Sequence, residues 1–446
     1  MTEVRQAAER AAPNGGVRNG IARDGAWLET PKGMGDLLPP DAAARRALAQ
    51  RVLRSFELYG YELVTPPVFE HAEVVQRGSD VLESRDLLRF VEPESGEVAV
   101  LRPDITPQIA RIVATRLTDH PPPFRLCYEG RVFRRQRGRA RSHRQIAQAG
   151  VECVGLSDAA GDSEILALAM RACEDVGLDD FRVELSDIRL VSSLLQGVPD
   201  EARSALSEVM AQKDAASLRA ICKRHAVRAQ VAEQLQALLG FYGDRDVLQR
   251  AARRFRSHEA QLALRNLGDI VERLTEIGLG ARVCFDLSET RGLSYYTGMH
   301  FSILAHGPGE ALGGGGRYDN LLGRYGFDAP ATGFALDLGH LQWTLRESGR
   351  SPVDAAGVRV ALAGRDRERV QAAAELLRRA DMVAALLPHS ELPRCLAFAR
   401  AWGYDALLTF AGRGAIRLLR VSDGSSHALT EVRPDVVLRL ARGKSG

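Results

Sequence analysis

The chain has 446 residues, 45% of them hydrophobic and 26% charged, with a formal net charge of +3. These values are ordinary for a globular protein of two or three domains, and the net charge is too small to indicate nucleic-acid binding by itself. The six cysteines form no C-x-x-C pair, which disfavours a zinc or thioredoxin-like motif and predicts reduced, mostly buried thiols. Neither a membrane-spanning apolar run nor a signal peptide is recognisable, so we expect a cytoplasmic protein.

The first half of the chain predicts alternating strands and helices. Residues 1–30 are polar and rich in Gly and Ala, which predicts a flexible extension. Asp41 is a candidate N-cap for a helix whose apolar positions, Leu48, Val52 and Phe56, recur at helical spacing. Further strands are predicted at 61–69, 98–103, 124–130, 131–155 (two strands joined by a loop) and 182–187, with helices at 106–117 and 162–177.

The second half contains a helical segment followed by more strands. Residues 190–280 are almost entirely helical in pattern. Strands are expected at 281–288 and at 298–305, where Met299, Phe301 and Ile303 alternate with polar residues. After a polar, turn-rich boundary near 347–357, strands alternate with helices in a way that predicts a small α/β domain.

The segment 101–111, LRPDITPQIAR, places a carboxylate and a hydroxyl between a strand and the start of a helix. Asp104 and Thr106 could receive an ammonium group there. Alternatively, Thr106 simply caps the helix. The sequence leaves both interpretations open.

Residues 128–152 combine an arginine-rich loop with a polar strand. Eight arginines lie from Arg125 to Arg144, and guanidinium clusters suit phosphate, although for a charge run in isolation a solvated basic loop is the favoured interpretation. Gln148 and Glu152 are four residues apart on a predicted strand and therefore share a face. An amide and a carboxylate placed in this way could bind imidazole or ammonium.

Three further segments carry candidate site residues. Arg291, Tyr295 and Tyr296 precede the predicted strand at 298–305. The glycine run in 312–326 permits close backbone approach to a ligand, although such a run is more often a bulge or tight turn. Residues 330–341 predict a turn followed by an apolar helix.

Taken in order, these segments resemble the class II core of histidyl-tRNA synthetase over roughly residues 31–346. YEGRVFR with AQAGVE resembles the family's second motif, RGLSYYTG its histidine-binding motif, and GGRYDNLLGRYG with PATGFAL its third motif. The resemblance implies an α+β fold, in which an antiparallel sheet flanked by helices carries a helical insertion at about 190–280. It further implies that residues 357–446 form an α/β domain like the family's anticodon-binding domain.

The family's histidine pocket is matched position by position. Asp104 stands where the family has glutamate, which keeps the charge but shortens the reach. The residues that the resemblance assigns to histidine binding are Asp104, Thr106, Arg134, Gln148, Glu152, Arg291, Tyr295 and Tyr296. It implies no metal ligands and no cofactor.

The ATP-binding positions depart from the family pattern. His340 replaces the third-motif arginine that grips the ATP γ-phosphate, Gly339 replaces a glutamate and Asp337 a glycine. Ile146 stands where a phenylalanine stacks on adenine, and Gln136 where the second motif has glutamate. Loss of a phosphate-clamping arginine and of the base stack should remove most adenylation activity, so we expect no catalytic residues.

A synthetase-like core that keeps the histidine pocket but lacks the ATP-binding residues resembles the regulatory subunits of ATP phosphoribosyltransferase. These subunits are relatives of the synthetase. That resemblance implies feedback control of histidine biosynthesis by L-histidine, a short catalytic subunit as partner, and a homodimer through residues 31–60 within a larger hetero-oligomer. Binding of tRNA is not expected. An active histidyl-tRNA synthetase, favoured by the anticodon-domain-like C-terminus, and a stand-alone histidine sensor remain the alternatives.

Overall fold

A computed structural model describes residues 30–78, 87–134, 144–290, 295–350, 357–412 and 414–443. The predicted extension at 1–30 therefore lies almost wholly outside the described residues. The first part of the chain contains helices α1 (Asp41–Leu58), α2 (Ala72–Gly78), α3 (Thr106–Arg116) and α4 (Ala159–Asp175), and strands β1 (Glu62–Leu63), β2 (Phe69–His71), β3 (Arg89–Val91), β4 (Val98–Leu101), β5 (Phe124–Phe133), β6 (Gln145–Val154) and β7 (Arg182–Asp187).

A group of helices then separates β7 from the remaining strands of the core. These helices are α5 (Ile188–Leu194), α6 (Asp200–Ala211), α7 (Ala215–Arg224), α8 (Ala229–Leu238), α9 (Asp246–Arg254) and α10 (His258–Glu276), with the two-residue strand β8 (Tyr242–Gly243) among them. The core closes with β9 (Val283–Asp286), β10 (Met299–Leu304), β11 (Gly313–Arg317), β12 (Ala331–Asp337) and α11 (Leu338–Glu347). We call the segment from α5 to α10 the helical insertion.

Nine of the described strands form one large sheet in the order β1-β5-β6-β12-β11-β10-β7-β9-β8. The pairs β1–β5 and β7–β9 are parallel and the others antiparallel. Strands β2, β4 and β3 form a separate small sheet. The predicted α+β class with an antiparallel sheet flanked by helices is confirmed.

The two faces of the large sheet are covered differently. On one face, α1, α4, α10 and α11 bury an extended apolar cluster that includes Phe56, Leu166, Leu267 and Leu341. The prediction that Met299, Phe301 and Ile303 share a face of β10 is confirmed, because all three join this cluster. On the other face, α3 packs its own apolar side against β5. This second face carries the candidate site.

The last part of the chain forms a five-stranded sheet. The predicted strands and helices correspond to β13 (Arg359–Gly364), α12 (Arg367–Arg379), β14 (Val383–Leu386), α13 (Leu392–Ala401) and β15 (Ala406–Ala411). The sequence reading missed β16 (Ala415–Arg420), β17 (Ser426–Leu429) and α14 (Pro434–Ala441). The order of the strands in this sheet is β14-β13-β15-β16-β17. Strand β16 pairs antiparallel with β15, whereas β13 pairs parallel with both of its neighbours, β14 and β15.

Three local predictions are corrected by the structure. The glycine run is neither a bulge nor a turn but strand β11, paired on both sides. Residues 331–337 are strand β12 rather than a turn, because they fill the gap between β6 and β11. Asp41 is the first helical residue of α1, preceded by Pro40, and so does not cap the helix.

The cysteine prediction is confirmed, since all six are free thiols and five are buried. Across the described ranges, no helix is both long enough and apolar enough to cross a membrane.

Candidate functional site

A buried glutamate lies in the middle of the α3-covered face. Glu152 is 2% exposed in β6, and its cross-strand partners are Leu126 on β5 and Gly333 on β12. Alternate residues of a strand point to opposite faces, so Glu152 and Gln148 share a face while Val151 joins the helical core on the other side. The shared face predicted for Gln148 and Glu152 is confirmed.

Two hydroxyl groups donate to one oxygen of this carboxylate. Thr106 Oγ1 donates to Glu152 Oε1 at 2.6 Å, and the fully buried Tyr128 hydroxyl donates to the same atom at 3.4 Å. The other oxygen, Oε2, is buried and has no hydrogen-bond partner among the described residues. A buried acceptor without a partner is energetically costly, so an N–H group of a ligand would be stabilised at this point.

The surroundings of Glu152 disfavour its negative charge. Burial raises the pKa of the Glu152 carboxyl well above its usual value, and the charge of Asp104 raises it further. The hydrogen bonds from Thr106 and Tyr128 act in the opposite direction. A ligand that brings a positive charge or N–H donors would therefore favour the ionised carboxylate.

The sheet beside Glu152 carries glycines instead of side chains. Glu152, Gly333, Gly316 and His300 lie opposite one another on successive strands and so form one row on the same face. A Cβ at Gly333 would collide with Glu152 Oε2 and would lie 2.7 Å from the Tyr318 hydroxyl. The two glycines leave a floor of backbone between Glu152 and His300 that a ligand can approach closely.

A turn at the start of α3 places Thr106 above this floor. Asp104 Oδ1 accepts hydrogen bonds from the backbone N–H groups of Ile105, at 2.7 Å, and Thr106, at 3.4 Å. Thr106 is the first residue of the helix, and Ile105 precedes it with no side-chain cap. The alternative in which Thr106 serves as the helix cap is therefore wrong, because its hydroxyl is used by Glu152.

Two tyrosines and a histidine form an aromatic group at this site. The rings of Tyr295 and Tyr296 meet edge to face at 5.2 Å, and Tyr296 stacks on His300 at 5.7 Å with an interplanar angle of 13°. Burial raises the pKa of both tyrosines, and the charges of Asp104 and Glu152 raise it further. The tyrosines are thus neutral hydroxyl groups held within the electrostatic reach of both carboxylates.

Arg134 and Gln148 add polar groups to the same face. Burial raises the pKa of Tyr296, and the charge of Arg134 opposes that rise, which places the guanidinium within electrostatic reach of the tyrosine. Within the part of the chain that the structure describes, Arg134 Nε and Gln148 Oε1 are buried without hydrogen-bond partners. Gln148 and Glu152 are separated by about 13 Å along β6. They mark the ends of an elongated polar site.

The start of α11 lies at the Gln148 end and is acidic. Asp337 is opposite Gln148 in the pairing of β12 with β6, and its Oδ1 accepts from the backbone N–H groups of Gly339 and His340 at 2.7 and 3.1 Å. His340 Nδ1 lies 3.6 Å from Asp337 Oδ2, and Nε2 lies 3.9 Å from Glu310 Oε2. The start of α11 thus places two carboxylates around His340, and the guanidinium of Arg45 from α1 lies within electrostatic reach of one of them, Asp337.

Seven of the eight predicted site residues lie on the α3-covered face of the sheet or at its edge. They are Asp104, Thr106, Arg134, Gln148, Glu152, Tyr295 and Tyr296. Arg291 and most of the arginine-rich loop lie outside the described residues, so both remain sequence-based expectations.

Three residues of this site were missed by the sequence reading. Tyr128 follows the two-residue alternation of β5, and that signal could have found it. Tyr318, whose ring lies 5.4 Å from that of Tyr295, belongs to the glycine-rich segment but carried no signal of its own. His300 resembled any polar residue of an alternating strand.

This fold and pocket define a class II synthetase-like protein. A family model described as histidyl-tRNA synthetase matches residues 33–341. A protein of Syntrophotalea carbinolica named ATP phosphoribosyltransferase regulatory subunit is 34% identical over 408 residues, covering 90% of this chain and 95% of the relative. One of the same name from Moorella thermoacetica is 39% identical and covers 76% of this chain and 87% of its own length. The chain therefore belongs to the histidyl-tRNA synthetase family, in the branch of ATP phosphoribosyltransferase regulatory subunits.

Solved structures agree with this assignment. A Bacillus halodurans structure, described as an ATP phosphoribosyltransferase regulatory subunit/histidyl-tRNA synthetase, aligns with a TM-score of 0.73 at 28% identity and covers 86% of this chain and 98% of that one. A histidyl-tRNA synthetase from Nostoc aligns with a TM-score of 0.76 at 20% identity, covering 93% and 98% of the two chains. The second likeness concerns the fold alone.

Replacing Glu152 by glutamine should stabilise the ligand-free protein at neutral pH. The pKa of Glu152 is raised in the folded state. The protonated carboxyl therefore stabilises the fold below the usual carboxyl pKa, and this stabilisation is lost as pH rises through the pKa of the folded protein. Glu152→Gln removes this loss, and its advantage over wild type should shrink towards pH 4. Urea denaturation between pH 4 and pH 8 measures the difference.

Glu164→Gln is a matched control with the opposite sign. Burial opposes ionisation of Glu164, but hydrogen bonds from Arg125 and Tyr61 outweigh it and lower the pKa. Glu164→Gln should therefore destabilise the protein at neutral pH and lose that effect as pH falls. If Glu152→Gln is less stable than wild type at pH 7, burial does not destabilise the ionised form of Glu152 as inferred here.

Proposed function

We propose that this chain binds L-histidine in the Glu152 pocket and acts as the regulatory subunit of an ATP phosphoribosyltransferase. In this role it is required for the activity of a separate short catalytic subunit and makes that subunit sensitive to histidine. The observation that carries the proposal is the buried Glu152 carboxylate, whose Oε2 has no protein partner among the described residues and faces a floor of glycine backbone.

Histidine fits the chemistry of this site. Its imidazole N–H would satisfy Glu152 Oε2, and its ammonium group would be attracted by Asp104. Its carboxylate would require a cation, for which Arg134 is available on the same face and Arg291 is expected from the sequence. An apolar amino acid side chain would leave Glu152 buried without a hydrogen-bond partner, so the site should select histidine over apolar amino acids.

The ATP-binding end supports a regulatory role over a catalytic one. His340 stands at the position of the expected arginine, beside Asp337 and Glu310. A triphosphate there would meet His340 and two carboxylates at the place of the third-motif arginine, so the developing charge of an adenylation transition state would lack that stabiliser. Active histidyl-tRNA synthetase is accordingly the second candidate, and a stand-alone histidine sensor the third.

Glu152→Ala should weaken histidine binding about ten- to a hundredfold, since a hydrogen bond to a charged group contributes roughly 1.5–3 kcal/mol. Glu129→Ala is the control, because Glu129 is exposed on the neighbouring strand and points to the opposite face. Isothermal titration calorimetry with L-histidine measures both variants. Equal affinity in a folded Glu152→Ala variant would remove Glu152 from the site.

Mixing this chain with a short catalytic ATP phosphoribosyltransferase should raise formation of phosphoribosyl-ATP and make it inhibitable by histidine. The Glu152→Ala variant should still activate but should require about ten- to a hundredfold more histidine for inhibition, in line with its weaker binding. Arg291→Ala should likewise assemble and lose the inhibition. If no complex forms on size-exclusion chromatography and activity does not rise, the regulatory assignment fails and the sensor hypothesis takes its place.

A further inference from the structure

A buried arginine lies on the α3-covered face of the large sheet, beside the candidate site. Arg102 directly follows β4 and is 4% exposed. A Cβ at Gly130 of β5 would collide with Arg102 Nη2 and would lie 3.0 Å from its Cζ. Gly130 is opposite Gln148 in the pairing of β5 with β6, so both residues face the same side of the sheet. The absence of a side chain at Gly130 thus makes room for the guanidinium next to the Gln148 end of the site.

Backbone oxygens hold this guanidinium in place. Arg102 Nε donates a hydrogen bond to the Arg131 oxygen at 2.8 Å, and Nη1 donates to the oxygens of Pro66 and Pro67 at 2.9 and 3.3 Å. A proline has no backbone N–H group, so the Pro66–Pro67 segment cannot pair with a neighbouring strand through N–H donors of its own. The side chain of Arg102 therefore does what strand pairing cannot do here, and attaches this segment to β5.

The main chain of Arg102 joins the same parts of the protein. Its N–H group donates to the Val68 oxygen at 3.0 Å, and its oxygen accepts from the Phe133 N–H group at 2.8 Å. Residue 102 thus connects the segment that enters β2, the turn between β4 and α3, and the end of β5. Two of these parts carry site residues, because Thr106 begins α3 and Arg134 follows β5.

The hydrogen bond from Thr106 to Glu152 depends on the position of the turn between β4 and α3. Its donor belongs to α3 and its acceptor to β6, and the two oxygens are 2.6 Å apart. Hydrogen bonds weaken steeply away from their preferred geometry, so a small displacement of either element weakens this one. Arg102 lies four residues before Thr106, and Pro103 restricts the main chain between them. A displacement of Arg102 is therefore passed along a short, stiff segment to the Thr106 hydroxyl.

We propose that Arg102 is a positioning residue for the Glu152 pocket. Its guanidinium group fixes the turn between β4 and α3 against β5, and thereby sets the distance from the Thr106 hydroxyl to Glu152. Arginine suits this role because its donors lie in one rigid plane and engage several acceptors at once, whereas lysine offers a single nitrogen. The inference rests on the proposed histidine binding and extends it to a residue that shapes the pocket without contacting the ligand.

Isothermal titration calorimetry with L-histidine on full-length variants tests this role. Arg102→Lys keeps the charge but removes the planar set of donors, and should weaken binding about two- to tenfold, the value of one intramolecular hydrogen bond. Thr106→Val removes the hydroxyl that Arg102 positions and should weaken binding as well. The double variant should bind no more weakly than Thr106→Val alone, because both changes act through one hydrogen bond. A purely structural role for Arg102 would instead give additive losses.

Gly130→Ala displaces the guanidinium without changing Arg102 itself. The added methyl group meets the end of a flexible side chain, so the variant should fold even if Arg102→Lys does not, and its histidine affinity should fall. In the Arg102→Lys background, Gly130→Ala should have little further effect. A full additional loss there would count against Arg102, because the methyl group would then act on its neighbour Gln148.

Two variants serve as controls. Arg125→Lys alters an arginine of the same strand that faces the opposite side of the sheet and pairs with Glu164. It should lower stability in urea denaturation but leave histidine affinity unchanged. Gly268→Ala adds a methyl group in α10 that meets no listed neighbour within 4 Å, so it should bind histidine as wild type does.

The outcomes separate this inference from the proposed function. If the wild type binds histidine and either Arg102→Lys or Thr106→Val binds it equally well, the positioning role is overturned while the pocket stands. Additive losses in the double variant overturn it in the same way. If the wild type shows no histidine binding by calorimetry, the proposed function itself fails.

Discussion

The arrangement of the site depends on one buried carboxylate that the protein satisfies only in part. Glu152 receives hydrogen bonds from Thr106 and Tyr128 on one oxygen, and glycine at position 333 makes room for the other. Antiparallel pairing of β6 with β5 and β12 sets the direction of the side chain. The unpaired, buried Oε2 reduces the stability of the ligand-free protein. A ligand that donates a hydrogen bond to Oε2 offsets this desolvation penalty.

The same sheet explains why binding and chemistry can be separated in this fold. The pocket is built from Glu152, Thr106 and the tyrosines, whereas the position that would hold ATP phosphates lies at the start of α11. There Asp337 caps the helix and His340 lies between carboxylates. On the proposed function, loss of adenylation need not cost recognition of an amino acid, because Glu152 and the start of α11 lie at different ends of the site.

Much of the fold and site was predictable because local signals agree with the tertiary structure. The shared face of the apolar residues in β10, and that of Gln148 and Glu152 in β6, follow from the two-residue period of a strand once the strand is identified. The glycine run was misread because a row of glycines has no propensity for strands, and only pairing with β10 and β12 makes it one. The ion pair between Lys213 and Asp286 joins residues 73 positions apart, so no local sequence pattern predicts it.

The most direct test of the account is histidine-dependent exchange of pyrophosphate into ATP, measured on protein that calorimetry has shown to bind L-histidine. An authentic histidyl-tRNA synthetase assayed in parallel provides the reference rate. We expect saturable histidine binding with no exchange above the enzyme-free background. Exchange at a rate comparable to the reference synthetase would contradict the separation of binding from chemistry and would make this chain an enzyme.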